Sequence, residues 1–240
     1  MNHSENLSTI KSILNDAYTR AETSSVPKKG DLTFGNTIKK IKHAAVFYVD
    51  MRGSRNIIQS NTTFISVKLH KAFLQAITYC VENRGGHFRS FNGDGALAFF
   101  VGENAATRAV KAAMDLDAYV QQINSIVEEK VSKKVDFGVG IAQGAVQVAK
   151  SGKGGDDQTK QDLVWVGLPV YAAVELSDFA KTPKNIYIST TVRNQLTKEG
   201  DAYVLKNDAG ESIWQQVEKD MKSLGKMQVR YTTYYTKIDF

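Results

Sequence analysis

A single cysteine, Cys80, stands in the 240 residues, so no intrachain disulfide can form. It lies in an apolar helical stretch and reads as a packed core thiol, which fits a reducing compartment such as the cytoplasm. No apolar run approaches the ~20 residues that a bilayer-spanning helix needs. The N-terminal MNHSENLSTI has neither the basic nor the apolar region of a secretory signal. A soluble, cytoplasmic protein with no membrane partner is expected. His43, His70 and His87 are isolated, with no Cys or His at zinc-ligand spacing. The net charge of +6 and a pI of about 9.2 admit a nucleic-acid binder. However, the lysines are scattered among acids and no basic stripe is interleaved with aromatics, so no nucleic-acid partner is expected. A polyanionic small substrate accounts for the charge equally well. Internal repeats are absent too.

What the chain has is 42% hydrophobic residues, 10% of the whole being aromatic, enough for one α/β core plus an extension. Residues 1–23 are expected as an N-terminal amphipathic helix, with Ser4 as N-cap and Leu7, Ile10, Leu14 and Tyr18 on one face. Residues 24–40, with Pro27, Gly30 and Gly35, read as a linker. Residues 41–240 form the main domain: a strand to Val49, a helix over 63–83, two strands over 87–91 and 96–101, a helix over 104–126, and a strand over 135–142. That order, βαββαβ, predicts a ferredoxin-like, palm-type α/β (α+β) fold, a mainly antiparallel sheet with helices on one face. Two further short strands, 145–149 and 163–166, flank a polar loop over 150–161. Its Gly152-Lys153-Gly154-Gly155 is no phosphate-binding P-loop, because no Ser or Thr follows Lys153 and no helix begins there.

Two aspartates stand where strands meet turns. Residues 44–49 (AAVFYV) form a buried-strand pattern, and Asp50 sits where it gives way to Gly53 and Ser54. Asp94 lies in Asn92-Gly93-Asp94-Gly95, a hairpin-turn sequence. Asp is common in turns whatever its role. Two carboxylates on neighbouring strands can nevertheless share a pair of divalent cations ~3.5–4 Å apart, the usual machinery for in-line attack at phosphorus. The chemistry suggested is phosphoryl or nucleotidyl transfer.

Asp50 with Met51-Arg52-Gly53-Ser54, the hairpin around Asp94, and the stretches 135–145 (VDFGVGIAQGA) and 165–173 (WVGLPVYAA) occur in the order and at about the spacing of class III nucleotidyl cyclases. The chain resembles that family over roughly residues 43–240. Within it, the chain is most similar to the bacterial pyrimidine cyclases of antiphage (Pycsar) signalling, because the metal residues match while the purine-reading residues do not. The resemblance implies two Mn²⁺ or Mg²⁺ ions held by Asp50, Asp94 and the main-chain carbonyl of Met51. One would acidify the ribose 3′-hydroxyl and the other would hold the triphosphate. Arg52, Arg55 and Ser54, beside the first aspartate, are candidates for the phosphates, with the helix start after Gly53 offering amides. Gly225-Lys226 resembles the family segment whose lysine reaches the triphosphate. The resemblance also implies a homodimer whose two sites lie between protomers.

The departures from purine cyclases point to the base. The lysine and aspartate that read adenine in adenylyl cyclases fall on Ser90 and Val164, so adenine selectivity should be lost. The family's transition-state Asn and Arg fall on Tyr171 and Glu175. Tyr48, Tyr171, Arg89 and Ser90 are the candidate base contacts. Arg89 can donate and not accept, which favours the uracil O4 slightly. The reading is therefore a cyclase making cyclic UMP or cyclic CMP for an antiphage effector. The alternatives are a catalytically weak homologue acting as a nucleotide-binding regulator, an ordinary adenylyl cyclase, or a basic nucleic-acid-binding palm domain.

Overall fold

The computed structural model describes residues 2–154, 158–235 and 238. The N-terminal helix is shorter than the periodicity suggests. α1 (His3–Asn15) is capped by Asn2, not Ser4: the Asn2 Oδ1 accepts from the Glu5 amide at 2.9 Å, and the Glu5 carboxylate accepts from the Asn2 amide at 2.9 Å. No residue of α1 is buried. Residues 19–23, expected to continue the helix, are instead β1 (Thr19–Thr23), paired in parallel with the start of β2 (Thr37–Arg52). The threonines at both ends of TRAET suit an extended chain, and an available strand edge overrides the helical spacing of Tyr18. The linker between them is anchored, with Val26 and Leu32 buried.

In β2, Ala44 through Val49 are all buried, the mark of a central strand covered on both faces. α2 (Ser54–Ser60) follows at once, then α3 (Thr63–Asn83), whose Thr62 cap accepts from the Ile65 amide at 3.4 Å. The hairpin β3 (His87–Asn92) and β4 (Gly95–Phe100) is joined by Gly93-Asp94; only Gly93 has positive φ (65°), the φ pattern of a II′ turn. α4 (Ala105–Ile126) is tied to α3 by Arg84, which grips Asp115 through Nε and Nη2 at 2.6 and 2.9 Å. Cys80 packs in the core between them, and burial pushes its thiol up to about 12, so it is inert.

The two strands expected at 135–142 and 145–149 are one, β5 (Asp136–Gly152). It pairs with β2 along nearly its whole length, with a bulge opposite Lys42 and His43. β6 (Gln161–Val166) folds back on its far end. Residues 155–157 of the polar loop lie outside the described residues. There follow α5 (Leu168–Phe179), β7 (Ile186–Ser189), α6 (Thr190–Glu199) and the hairpin β8 (Gln215–Met221) and β9 (Gly225–Thr232).

The sheet order is β3-β4-β2-β5-β7-β9-β8, with β1 beside β2 and β6 beside β5; only the β1–β2 and β5–β7 pairs are parallel, so the sheet is mainly antiparallel. α3, α4 and α6 share one face, around Phe47, Phe73, Phe100 and Ile141. α5 lies on the other, against Val46, Tyr48, Ala142 and Tyr187. Its close seat depends on Gly140, where a Cβ would overlap the Ala173 carbonyl.

Candidate active site

Strand alternation sorts the end of β2. Val49 and Met51 point into the α3/α4 core, so Tyr48 and Asp50 point to the α5 side. β4 pairs with β2 from Ala45↔Phe100 to Val49↔Ala96, which sets the hairpin turn beside Asp50. Asp50 and Asp94 are thereby brought together on one face. The approach is close because residue 95 is glycine: a Cβ there would stand 2.8 Å from the Val49 carbonyl, 3.0 Å from Asp50 Oδ1 and 3.1 Å from the Tyr48 hydroxyl. The Tyr48 hydroxyl accepts from Asn92 Nδ2 at 3.3 Å. Burial raises its pKa, so it stays neutral.

Asp50 is pushed up to about 6, first by burial and then by the Asp94 carboxylate, with Arg52 pulling the other way and Asp178 adding to the rise. A half-buried carboxyl facing a second carboxylate is a standing demand for positive charge. Arg52 answers part of it. Its Nη1 lies 3.3 Å from Asp50 Oδ2 and 3.6 Å from Asp178 Oδ1, while Nε donates to the Ala180 carbonyl at 3.0 Å and Nη2 to that of Ser177. Arg52 thus holds Asp50 in place and caps the C-terminal end of α5. Its Nε, Nη1 and Nη2 each have a partner within the chain, an engagement with α5 that the phosphate role expected for it did not include.

The chain matches proteins whose chemistry bears on this arrangement. It is 30% identical over 200 residues to a uridylate cyclase of Burkholderia cepacia, covering 80% of this chain and 81% of the relative. It is 28% identical over 210 residues to a uridylate cyclase of Xanthomonas perforans, covering 85% and 86%. The chain belongs to the class III nucleotidyl cyclases, in the uridylate cyclase family. No family model matches it. Among solved structures, the guanylate cyclase domain of RhGC from Catenaria anguillulae, in complex with GTP, superposes with a TM-score of 0.66 at 18% identity over 82% of this chain and all of that one. The adenylyl cyclase CyaB from P. aeruginosa does so at 0.64 and 18%, over 85% and 98%. The cyclase shares their fold, and it is a nucleotide cyclase, a phosphorus–oxygen lyase.

The remaining expected residues of this cyclase separate into groups. Met51 is buried on the far face, so only its main chain is available to the carboxylate side. Ser54 opens α2 after Gly53, which has positive φ, and Arg55 is exposed beside it. Ser90 is half-buried opposite Leu97. Arg89 is a correction. It is the extra residue of a bulge in β3, and its guanidinium donates to the carbonyls of Pro27 at 2.8 Å, Val26 at 2.5 Å and Phe88 at 2.7 Å. With its donors on the linker it is not free to read a base. Tyr171 is exposed in the first turns of α5, and Lys226 is exposed at the start of β9 opposite Asp220. Neither makes a hydrogen bond or ion pair with Asp50 or Asp94 among the described residues.

Sequence reasoning missed Asp178, the close approach that Gly95 permits, and the anchoring contact of Glu175. Glu175 Oε1 accepts from the amide of Ser223 at 2.9 Å and from its hydroxyl, fastening α5 to the β8–β9 turn, while Oε2 is buried without a partner. The helical spacing of Leu168, Tyr171, Glu175 and Asp178 (i, i+3, i+7, i+10) was the available signal for a stripe on α5 that ends at Arg52.

Proposed function

We propose that the cyclase converts UTP to 3′,5′-cyclic UMP and pyrophosphate. The 3′-oxygen bonds to the α-phosphorus as the bond from that phosphorus to the pyrophosphate oxygen breaks. The observation that carries this reading is the facing pair Asp50 and Asp94, with Arg52 holding Asp50, in a chain related to uridylate cyclases. Among the described residues no group of three or more His, Cys, Asp or Glu is placed to hold a metal ion. Two carboxylates and a carbonyl suit Mg²⁺ or Mn²⁺, which keep several waters and take their other ligands from substrate phosphates, so the residues fit two such ions. Asp50, Asp94 and the Met51 carbonyl would hold them. Bound there, the cations supply charge that favours the ionised 3′-hydroxyl and the leaving pyrophosphate. The Asp50 carboxylate is kept aimed by Arg52, and Ser54, Arg55 and Lys226 supply phosphate contacts.

A pyrimidine is supported by three features. Ser90 and Val164 offer no charged partner to adenine, and the Tyr48 ring fills the floor beside Asp50. The preference for uracil over cytosine rests on the relatives, since Arg89 is engaged elsewhere. An exposed apolar stripe, Val164, Val166, Leu168 and Tyr171, runs from β6 into α5 and supports a homodimer that adds Tyr171 and Lys226 of one protomer to the carboxylates of the other. Residues 41–240 make up the catalytic domain, with β1 and the linker docked on its sheet and α1 burying no residue of its own. As in the family it resembles, the product would serve as a second messenger in antiphage defence. Incubation with Mn²⁺ and each of the four nucleoside triphosphates, with products resolved by chromatography, tests the base. UTP should be turned over at least ~10-fold faster than ATP or GTP, the discrimination expected when one or two contacts differ. Equal turnover of ATP would return the protein to the adenylyl cyclases.

A further inference from the structure

The face of the sheet turned away from Asp50 holds two arginines that the cyclase reaction does not use. In β9, Val229 packs on the α5 side with Met227 and Tyr231 against it, so by alternation Arg230 points to the other side, where its register partner Ile188 joins the α3/α4 core. On that side α6 packs against β9 and brings Arg193, whose neighbours Val192 and Leu196 are buried in that same core, within electrostatic reach of Arg230.

Neither guanidinium has an acid. The Arg230 side chain makes no hydrogen bond or ion pair with any described residue, and its Nη1 is buried without an acceptor. Among the described residues the Arg193 guanidinium donates only to the Thr197 hydroxyl. Two carboxylates on the same and flanking elements are otherwise engaged. Glu218 of β8 accepts from Gln228 at 3.1 Å, and Glu199 of α6 accepts from the Thr107 amide at 2.8 Å and from Gln195 at 3.2 Å. Burial and the charge of Arg230 both lower the pKa of Arg193. Two like charges facing one another, one with an unmet buried donor, are each unfavourable alone. A single oxyanion relieves both, because the planar guanidinium forks match its oxygens in paired hydrogen bonds.

We propose that Arg193 and Arg230 form a binding site for a phosphate-type oxyanion, on the opposite face of the sheet from Asp50 and Asp94. The ion is inorganic phosphate or the phosphate of a nucleotide.

Calorimetric titration of the full-length, metal-free protein in chloride buffer tests this, with inorganic phosphate and UMP as separate probes. Phosphate should bind wild type and Asp50→Asn equally well. Arg193→Ala and Arg230→Gln, each checked for folding by circular dichroism, should weaken it at least ~10-fold, the loss of one charge-assisted fork. Arg230→Lys should recover part of the affinity. Tighter binding of UMP than of phosphate at the same pair identifies a nucleotide as the source, and weaker binding identifies the free ion. Absence of saturable heat at millimolar phosphate, or unchanged affinity in Arg193→Ala and Arg230→Gln, overturns the site.

Discussion

Removing the charge of Asp50 should stabilise the metal-free protein while destroying its activity. The carboxyl titrates at about 6 instead of the ordinary 3.8. A proton is therefore bound more tightly in the folded than in the unfolded chain, and stability falls as pH rises from about 4 to about 6 and stays low above it. The difference corresponds to a penalty of about 3 kcal/mol on the charged form. The Asp50 side chain is 26% exposed, and its contact with Arg52 is lost in the variant, so about 2 kcal/mol is the expected net gain for Asp50→Asn at pH 8. For a chain of this size that raises Tm by roughly 4–8 °C. Asp117, also pushed up to about 6 by burial, titrates in both proteins and cancels in the comparison. The assay is thermal unfolding of wild type and Asp50→Asn in EDTA at pH 4 and pH 8. The gap should open at pH 8 and close at pH 4, and Mn²⁺ should raise the Tm of wild type alone. Equal Tm values at pH 8, or a gap independent of pH, would refute the electrostatic account of the pair.

Gly95→Ala should cut cyclisation at least ~10-fold and lower Tm while the fold is kept, since the new Cβ presses on the Val49 carbonyl and on Asp50 Oδ1 and misplacement of reacting groups is costly; kcat, thermal unfolding and far-UV circular dichroism check it. Arg52→Ala should lower stability by about 2–3 kcal/mol in urea titrations, because the carbonyls of Ser177 and Ala180 lose a charged donor and the acids lose their cation. Mixing inactive Asp50→Ala and Tyr171→Ala protomers should restore about a quarter of wild-type activity, one intact site in half the dimers. No recovery after confirmed subunit exchange would place the whole site within one chain or leave Tyr171 out of it.

The positions of the local elements were legible in the chain because they depend on local order. The α3 helix follows from its spacing of apolar residues, the β3–β4 hairpin from Asn-Gly-Asp-Gly, and the burial of β2 from an unbroken apolar run. Those same signals placed Asp50 and Asp94 at neighbouring turns. What they could not give is which partners a side chain finds. Residues 19–23 follow directly on a helical spacing that runs to Tyr18, yet become a strand, because the edge of β2 is free beside them. Arg89 stands next to the hairpin in sequence but is spent on the linker, since a bulge turns it there. Arg52, two residues from Asp50, is claimed by α5, an element more than a hundred residues away, because Gly140 lets that helix settle close to the sheet. The sequence determined that two carboxylates stand at the ends of adjacent strands. Only the tertiary structure decided which cations remain free to serve them, because hydrogen-bond donors are committed by contacts between residues far apart in the chain.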